Sequence, residues 1–405
     1  MKRSGQADMP LHYGRVPDWL YERMSKMGRA ITTIIVQEYG QNEFLSRISD
    51  PFWFQAFGAV MGMDWHSSGI TTSVMGALKQ GLNPIFKELG IFICGGRGKY
   101  SRMTPHELTI LSENSGLNGD ELVRCSKLTA KVDNTAIQDR YQLYLHSFIV
   151  TNKGEWAVIQ QGMNDINRTA RRYHWHSVNV RSFVDEPHNS IYGINQGMIL
   201  NLTDKEAYST RTGILDITNE KPDITLSEIK KLVMPPHHDV KKEDVDLKRL
   251  GAVLGIAYEK KFRDFEDLLL LEGLGPKTLR SLTLVSEVIH GTPSRFKDPA
   301  RFSFAHGGKD GKPFPVQTKV YDNTIRFLMN ALHLSKIGYY DKQRAIKKLT
   351  GLLEKLEKNF IPSSDLYEKY IRKEVDESPF VGGKTVFDKR DKKNSNQLPS
   401  QLRLF

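Results

Sequence analysis

Residues Asp264 to Gly291 bring together groups suited to holding an anion. An apolar run from Phe265 to Leu271 leads into Glu272-Gly273-Leu274-Gly275-Pro276-Lys277-Thr278, and Leu279-Arg280-Ser281-Leu282 then opens a second helical run. Pro276 suits the first position of a helix, because the N–H it lacks would be unpaired there. Gly273 and Gly275 let the backbone turn sharply and approach another surface closely. N–H groups at the helix start, with Lys277, Thr278 and Arg280 beside them, make a phosphate site. The bland alternative is an ordinary helical turn with an exposed lysine. A second anion candidate is Gly95-Gly96-Arg97-Gly98-Lys99, where backbone N–H groups join the charges of Arg97 and Lys99. Tyr100 follows Lys99 where a nucleotide-binding loop needs Ser or Thr for magnesium. A strand-to-helix turn with solvated charges fits that stretch equally well.

Metal-assisted chemistry calls for carboxylates instead. Two or three of them converging on Mg2+ or Mn2+ activate a phosphodiester for cleavage. Asp64 with His66, Asp133 and Glu155 are the candidates. Asp64, His66 and Glu155 form the expected catalytic set, with Asp64 and Glu155 as the metal ligands. Glu155 follows the turn Thr151-Asn152-Lys153-Gly154, which sets it at a sheet rim. Ala157 stands where a Glu-x-Lys nuclease signature needs lysine. Taken singly, each acid reads as a surface or capping group. Arg168, Arg171, Arg172, Tyr173, His174, Trp175 and His176 interleave cations with rings, which suits phosphate contact and base stacking on nucleic acid. The alternative is an amphipathic element with its rings in the core. His237-His238-Asp239 reads as a hydrogen-bonding connector, since adjacent residues of an extended segment point to opposite faces. His306 and Asp310 flank Gly307-Gly308 in a polar loop of open role.

The elements that must position these groups follow from composition and periodicity. The 405 residues carry 58 Lys and Arg against 47 Asp and Glu, a net charge of +11 that suits a polyanionic partner. No apolar stretch has transmembrane length, and the basic start lacks the apolar run of a secretory signal. Two cysteines, Cys94 and Cys125, point to a reducing cytoplasm with free thiols. Phe86 to Cys94 reads as an apolar strand, and Thr104-Pro105-His106-Glu107 as a helix-opening capping box. Tyr141–Val150 and Glu155–Gln160 read as paired strands. Thr203-Asp204-Lys205-Glu206 and Thr225-Leu226-Ser227-Glu228 read as further helix starts, the second with an Ile224–Ile229 staple. Beyond Met234-Pro235-Pro236 the periodicity is helical. The expected fold is α+β. A mixed α/β domain spans 1–233, an all-helical domain spans 240–375, and a basic tail, disordered by composition, spans 381–405.

Three resemblances add to this. The Gly273–Thr278 stretch resembles the helix-hairpin-helix motif, which implies contact with the DNA backbone without sequence reading. In glycosylases of that type a Schiff-base lysine sits just after the hairpin and an aspartate follows the second helix. Lys277 and Asp298 stand near those places, but Asp298-Pro299 departs from the usual Val-Asp context and lies slightly far along, so Lys277 reads better as a phosphate contact. Met9-Pro10-Leu11-His12-Tyr13-Gly14, Asp64-Trp65-His66-Ser67-Ser68-Gly69, Cys94 to Lys99, Arg171 to Trp175, and Phe302 to Gly311 together resemble a prokaryotic family catalogued as domain of unknown function 763. That resemblance implies a bacterial or archaeal origin and carries over no activity or catalytic residue. The last five residues, Gln401-Leu402-Arg403-Leu404-Phe405, resemble the peptide by which bacterial replication and repair proteins dock on the sliding clamp, with Arg403 departing from the usual small or acidic middle residue.

The combined expectation is a cytoplasmic DNA-binding protein of bacterial replication or repair, working as a metal-dependent nuclease or a related DNA-processing enzyme. A non-enzymatic adaptor recruited by the clamp and a helix-hairpin-helix glycosylase are the alternatives. In the tail, Leu402, Leu404 and Phe405 supply apolar anchors and Gln401 fixes register. Burying large side chains from a flexible tail is favourable, but ordering it costs part of the gain, so affinity should be on the order of micromolar. Leu404→Ala with Phe405→Ala should abolish binding to the host's clamp in a titration and leave DNA binding unchanged. Equal clamp binding by wild type and double variant would remove the docking reading.

Overall fold

In a computed structural model of the chain, the described residues are 16–63, 68–231, 247–300 and 318–358. Four helices come first: α1 (Asp18–Tyr39), α2 (Gln41–Ile48), α3 (Pro51–Met61) and α4 (Gly69–Leu82). At the start of α3, Asp50 accepts the N–H groups of Phe52 and Trp53 at 2.9 Å each, and Pro51 takes the first position. Gly62, at φ +114°, ends it. Every residue of α3 is buried, as its continuous apolar composition requires. The apolar run from Phe86 divides between two elements. Its first residues form the short helix α5 (Phe86–Leu89), and β1 (Ile91–Arg97) begins after Gly90.

α6 (Lys99–Ser115) starts five residues before the expected capping box. Thr104 and Pro105 lie inside it. The Thr104 hydroxyl donates to Ser101 O at 2.8 Å, the carbonyl that the missing N–H of Pro105 cannot serve. α7 (Gly119–Lys131) runs into a π-helical turn over Val132–Ala136. The strands β2 (Gln142–Thr151), β3 (Trp156–Asn164), β4 (Thr169–His176) and β5 (Ser190–Tyr192) follow. The expected β2 and β3 pair around the expected turn. Asp204 rather than Thr203 caps the next helical segment, accepting Glu206 N at 2.8 Å ahead of α8 (Tyr208–Asn219). α9 (Pro222–Lys231) starts at Pro222, so Thr225 falls within it. The remaining helices are α10 (Leu247–Lys260), α11 (Phe265–Leu269), α12 (Pro276–His290), α13 (Thr318–Leu334) and α14 (Tyr339–Lys358). No helix among the described residues is long and apolar enough to cross a membrane.

The chain is a mixed α/β protein built on a five-stranded antiparallel meander in the order β1-β2-β3-β4-β5. Directly opposed residues share a face. Leu145, Gln161, Arg172 and Tyr192 therefore line one face, and His146, Gln160, Tyr173 and Ile191 the other. The first face is covered by α3 and α4: Gln55 and Thr71 reach Arg172, and Lys79 donates to Gly95 O at 2.8 Å. A continuous apolar cluster covers the second, joining Leu108, Leu128, Phe148 and Trp175 to Leu254, Leu268, Leu279 and Leu282. With both faces covered, all eight positions of β4 are buried. This core draws on helices from both sides of residues 232–246. The described residues up to 300, and from 318 to 352, belong to one compact unit.

One ion-pair cluster ties the sheet to the loops beyond it. Arg171 is fully buried on β4. Its guanidinium donates to Asp139 at 2.8 Å and to both oxygens of Asp298, at 3.0 and 2.6 Å. Asp139 also accepts Tyr173 OH at 2.6 Å, and Asp298 accepts the N–H groups of Gln196 at 2.7 Å and Ala300 at 2.8 Å. Burial alone would lower the Arg171 pKa, but the two carboxylates outweigh it and raise the value. Arg171→Met should strand two buried carboxylates and lower the unfolding free energy by about 3–5 kcal/mol, as breaking a buried pair does. Urea denaturation reads this. Adding Asp139→Asn and Asp298→Asn should recover part of the loss. A single variant as stable as wild type would show that this cluster is not the joint.

Candidate nucleic-acid interface

The Asp264–Gly291 segment forms two helices around a tight turn. Asp264 caps α11, accepting Asp267 N at 2.8 Å. Leu274 N then donates to Leu271 O at 3.2 Å, and Gly273 between them takes φ +86°, which an L side chain rarely adopts. Gly275 is extended and precedes α12, with Pro276 at the first position and no side-chain cap. Leu268, Leu271, Leu274, Leu279 and Leu282 are buried and hold the turn to the core. Neighbouring side chains take three of its carbonyls. Lys131 at the end of α7 donates to Leu274 O at 2.8 Å and to Leu271 O at 3.5 Å, and Gln138 donates to Pro276 O at 2.9 Å. Burial pushes the Lys131 pKa down. Glu272, Gly273, Pro276 and Lys277 are exposed, and Arg280 is half-buried. The Thr278 side chain is buried, so of the expected binding residues it has only its backbone to offer.

The turn between β1 and α6 is less open than its glycines suggest. A Cβ on Gly95 would run into His146 O and the Thr104 hydroxyl. Gly95 N donates to Glu107 at 2.8 Å, and Glu107 pairs with Lys79 at 2.7 Å. Gly98 N donates to Tyr144 O at 2.7 Å. Two of the amides in the expected phosphate cradle are therefore already committed within the protein. The side chains of Arg97 and Lys99 remain exposed, Arg97 6.0 Å from the Tyr144 ring centre and Lys99 5.4 Å from that of Tyr100.

The cation-and-ring stretch is corrected outright. From Thr169 to His176 every residue is buried, and only Arg168 of the expected set is exposed. Arg171 and Arg172 were expected on a DNA-facing surface. Both are fully buried, on opposite faces of the sheet. Arg172 donates to Gln55 at 2.8 Å, His174 at 2.8 Å and Thr71 at 3.2 Å, and lies 4.3 Å from the Phe54 ring centre. It has no carboxylate partner among the described residues, and burial lowers its pKa to about 10. Rings alternating with polar groups over Tyr173–His176 read as a strand with one wet face, and the helices that cover both faces overrule that reading.

Of the expected carboxylates, Asp133 and Glu155 are among the described residues. Asp64 and His66 lie outside the described residues, as do His237, His238, Asp239, His306, Asp310 and Gln401 to Phe405. Glu155 is half-buried and accepts Asn42 Nδ2 at 3.3 Å. Ser68, which directly follows residues 64–67, accepts Gln161 Nε2 at 2.9 Å. No group of three metal-binding side chains occurs among the described residues. Asp298, the expected partner of a glycosylase lysine, is committed to Arg171. Cys94 and Cys125 are both buried, and burial pushes the Cys125 thiol up to about 12.

Sequence reasoning missed a buried polar chain. Ser126 meets His146 Nε2 at 2.9 Å, His146 Nδ1 meets Gln160 Oε1 at 2.8 Å, and Gln160 Nε2 donates to Asp133 at 2.6 Å. Asp133 also accepts Trp175 Nε1 at 3.0 Å and bonds His188. Burial raises the Asp133 pKa. Ser126 beside a histidine has the form of an activated nucleophile, but it is buried away from any substrate. No sequence spacing announces this chain, because its members come from three separate segments, α7 with its π-helical turn, β2 and β3.

The family described as protein of unknown function (DUF763) matches residues 5–316. The chain belongs to this family. The DUF763 match spans the sheet, both helical coverings and the α11–α12 turn, and ends before α13. No curated protein and no solved structure matches the chain.

Burial lowers the His146 pKa to about 4, with the Gln160 hydrogen bond opposing it. An unfolded histidine titrates near 6.5, so the unfolded state takes up the proton first as pH falls. The stability that neutral His146 contributes is present above about pH 6.5 and is lost between there and about 4. The difference in unfolding free energy between wild type and His146→Asn should therefore shrink by about 3 kcal/mol from pH 7 to pH 4. Denaturant titrations across that range measure it. A constant difference would show that His146 is not held neutral.

Proposed function

We propose that this chain binds DNA through the sugar-phosphate backbone, using the α11–α12 turn as a helix-hairpin-helix. The carrying observation is how that turn is bonded. Lys131 and Gln138 occupy three of its carbonyls, while Pro276 and Lys277 are exposed and the start of α12 has no side-chain cap. Occupied acceptors beside an exposed, uncapped helix start favour an anion there. The net charge of +11 supports the same partner. The tail peptide Gln401–Phe405 would add recruitment to a bacterial sliding clamp.

Backbone recognition gives affinity that is similar across sequences and falls linearly with log salt concentration. Fluorescence anisotropy with several unrelated duplexes tests this. Lys277→Glu with Arg280→Ala should weaken binding roughly tenfold on every duplex and reduce the salt slope by about one to two. Gly273→Val should weaken it as well, by straining the left-handed turn. Unchanged affinity in variants that retain the wild-type circular dichroism spectrum would defeat the hairpin reading.

A further inference from the structure

One end of the sheet lies next to the hairpin. Gln138, which holds Pro276 O, is two residues before Arg140, an exposed residue at φ +63° on the turn into β2. The next residue, Tyr141, bonds Thr169 through their hydroxyls at 2.8 Å. Thr169 follows Arg168, exposed at φ +53°. Arg140 and Arg168 therefore flank one hydrogen-bonded pair, a few residues from the start of α12. Between β3 and β4, Ile166 is 84% exposed. Its turn is fixed from within: Asn164 accepts Ile166 N at 3.0 Å, and Asn167 accepts Thr169 N at 3.1 Å and the Thr169 hydroxyl at 2.6 Å. A large apolar side chain is thus held out into solvent on a braced turn beside two cations. Asp165 is the one acid of that turn.

We propose that this sheet end is a second DNA contact, in which Arg140 and Arg168 hold phosphates and Ile166 presses between bases. The inference rests on the DNA-binding reading of the hairpin and extends the bound duplex from α12 across the starts of β2 and β4. Braced apolar residues beside cations are the means by which proteins unstack a base step while gripping the backbone.

The test uses the full chain and a duplex carrying 2-aminopurine, whose fluorescence rises on unstacking, with anisotropy as the affinity readout. Wild type should raise the fluorescence. Arg140→Ala with Arg168→Ala should weaken binding roughly tenfold and lower the salt slope by about two. Ile166→Ser should abolish the fluorescence rise while changing affinity less than about threefold. If Lys277→Glu weakens binding and the double arginine variant keeps wild-type affinity and slope, the second contact is overturned and the hairpin stands. If the arginine variant weakens binding and Lys277→Glu does not, the hairpin reading fails and the second contact stands. A wild-type complex with quenched 2-aminopurine, or a wild type that binds no duplex, overturns the proposal. Circular dichroism melts of each variant separate lost contact from lost fold.

Discussion

The structure depends on how one buried guanidinium is neutralised. Arg171 leaves β4 on the face covered by the larger apolar cluster, and meets Asp139 before β2 and Asp298 after α12. A buried charge is costly unless paired and fully hydrogen-bonded. This requirement draws three distant segments to one point. Asp298 in turn fixes the backbone at Gln196 and Ala300, so the ion cluster also orders the loops around it. The apolar contacts of α10 to α12 supply most of the attraction between helices and sheet, and they are non-directional. The ion cluster sets where along the sheet those helices come to rest.

That placement matters for the exposed hairpin. Its inner surface is specified residue by residue, by leucines below and by the Lys131 ammonium and Gln138 amide at its carbonyls. Its outer surface is left to glycine, proline and lysine. Under the proposed DNA-binding reading such a turn would be preorganised, since it would not have to be ordered when a phosphate arrives, which would remove part of the entropic cost of association. Lys131 braces the turn from a different helix, although nothing in its local sequence marks it as part of it.

Local features were legible in the sequence. The helix–turn–helix at Asp264–Gly291, the β2–β3 pair and the helical period of α10 and α12 all follow from short-range chemistry, and the structure has them. Helix α6 begins early because Pro105 is accommodated by the Thr104 hydroxyl, a compensation that no capping rule anticipates. The misreading of Arg171 and Arg172 has a different origin. Charge in a strand means solvent when one face is wet, and burial when both are covered. Which case applies depends on α1 to α4 and on the helices after residue 247, far along the chain in both directions. The Ser126–His146–Gln160–Asp133 chain was invisible for the same reason: each member is ordinary locally, and only the sheet register brings them together. At Gly95–Lys99 the sequence leaves a phosphate cradle and a plain strand-to-helix turn equally open, because it does not reveal that Glu107 and Tyr144 occupy the amides of Gly95 and Gly98.

The complete burial of β4 has a consequence for register. A slip by one residue turns every side chain of a strand to the other face, and register is strongly specified wherever a face is buried. Here neither a slip by one nor a slip by two has a tolerable end state. Sliding by one would exchange the two arginines between faces, sending Arg171 toward Phe54 and Gln55 and leaving Asp139 and Asp298 opposite Arg172 with altered reach. Sliding by two would move both away from their partners. The two faces are chemically non-equivalent, one offering two carboxylates to its arginine and the other neutral groups and the rings of Phe54 and Tyr192. The strand therefore encodes its own alignment, and the pair of adjacent arginines acts as a key that fits the sheet in one orientation.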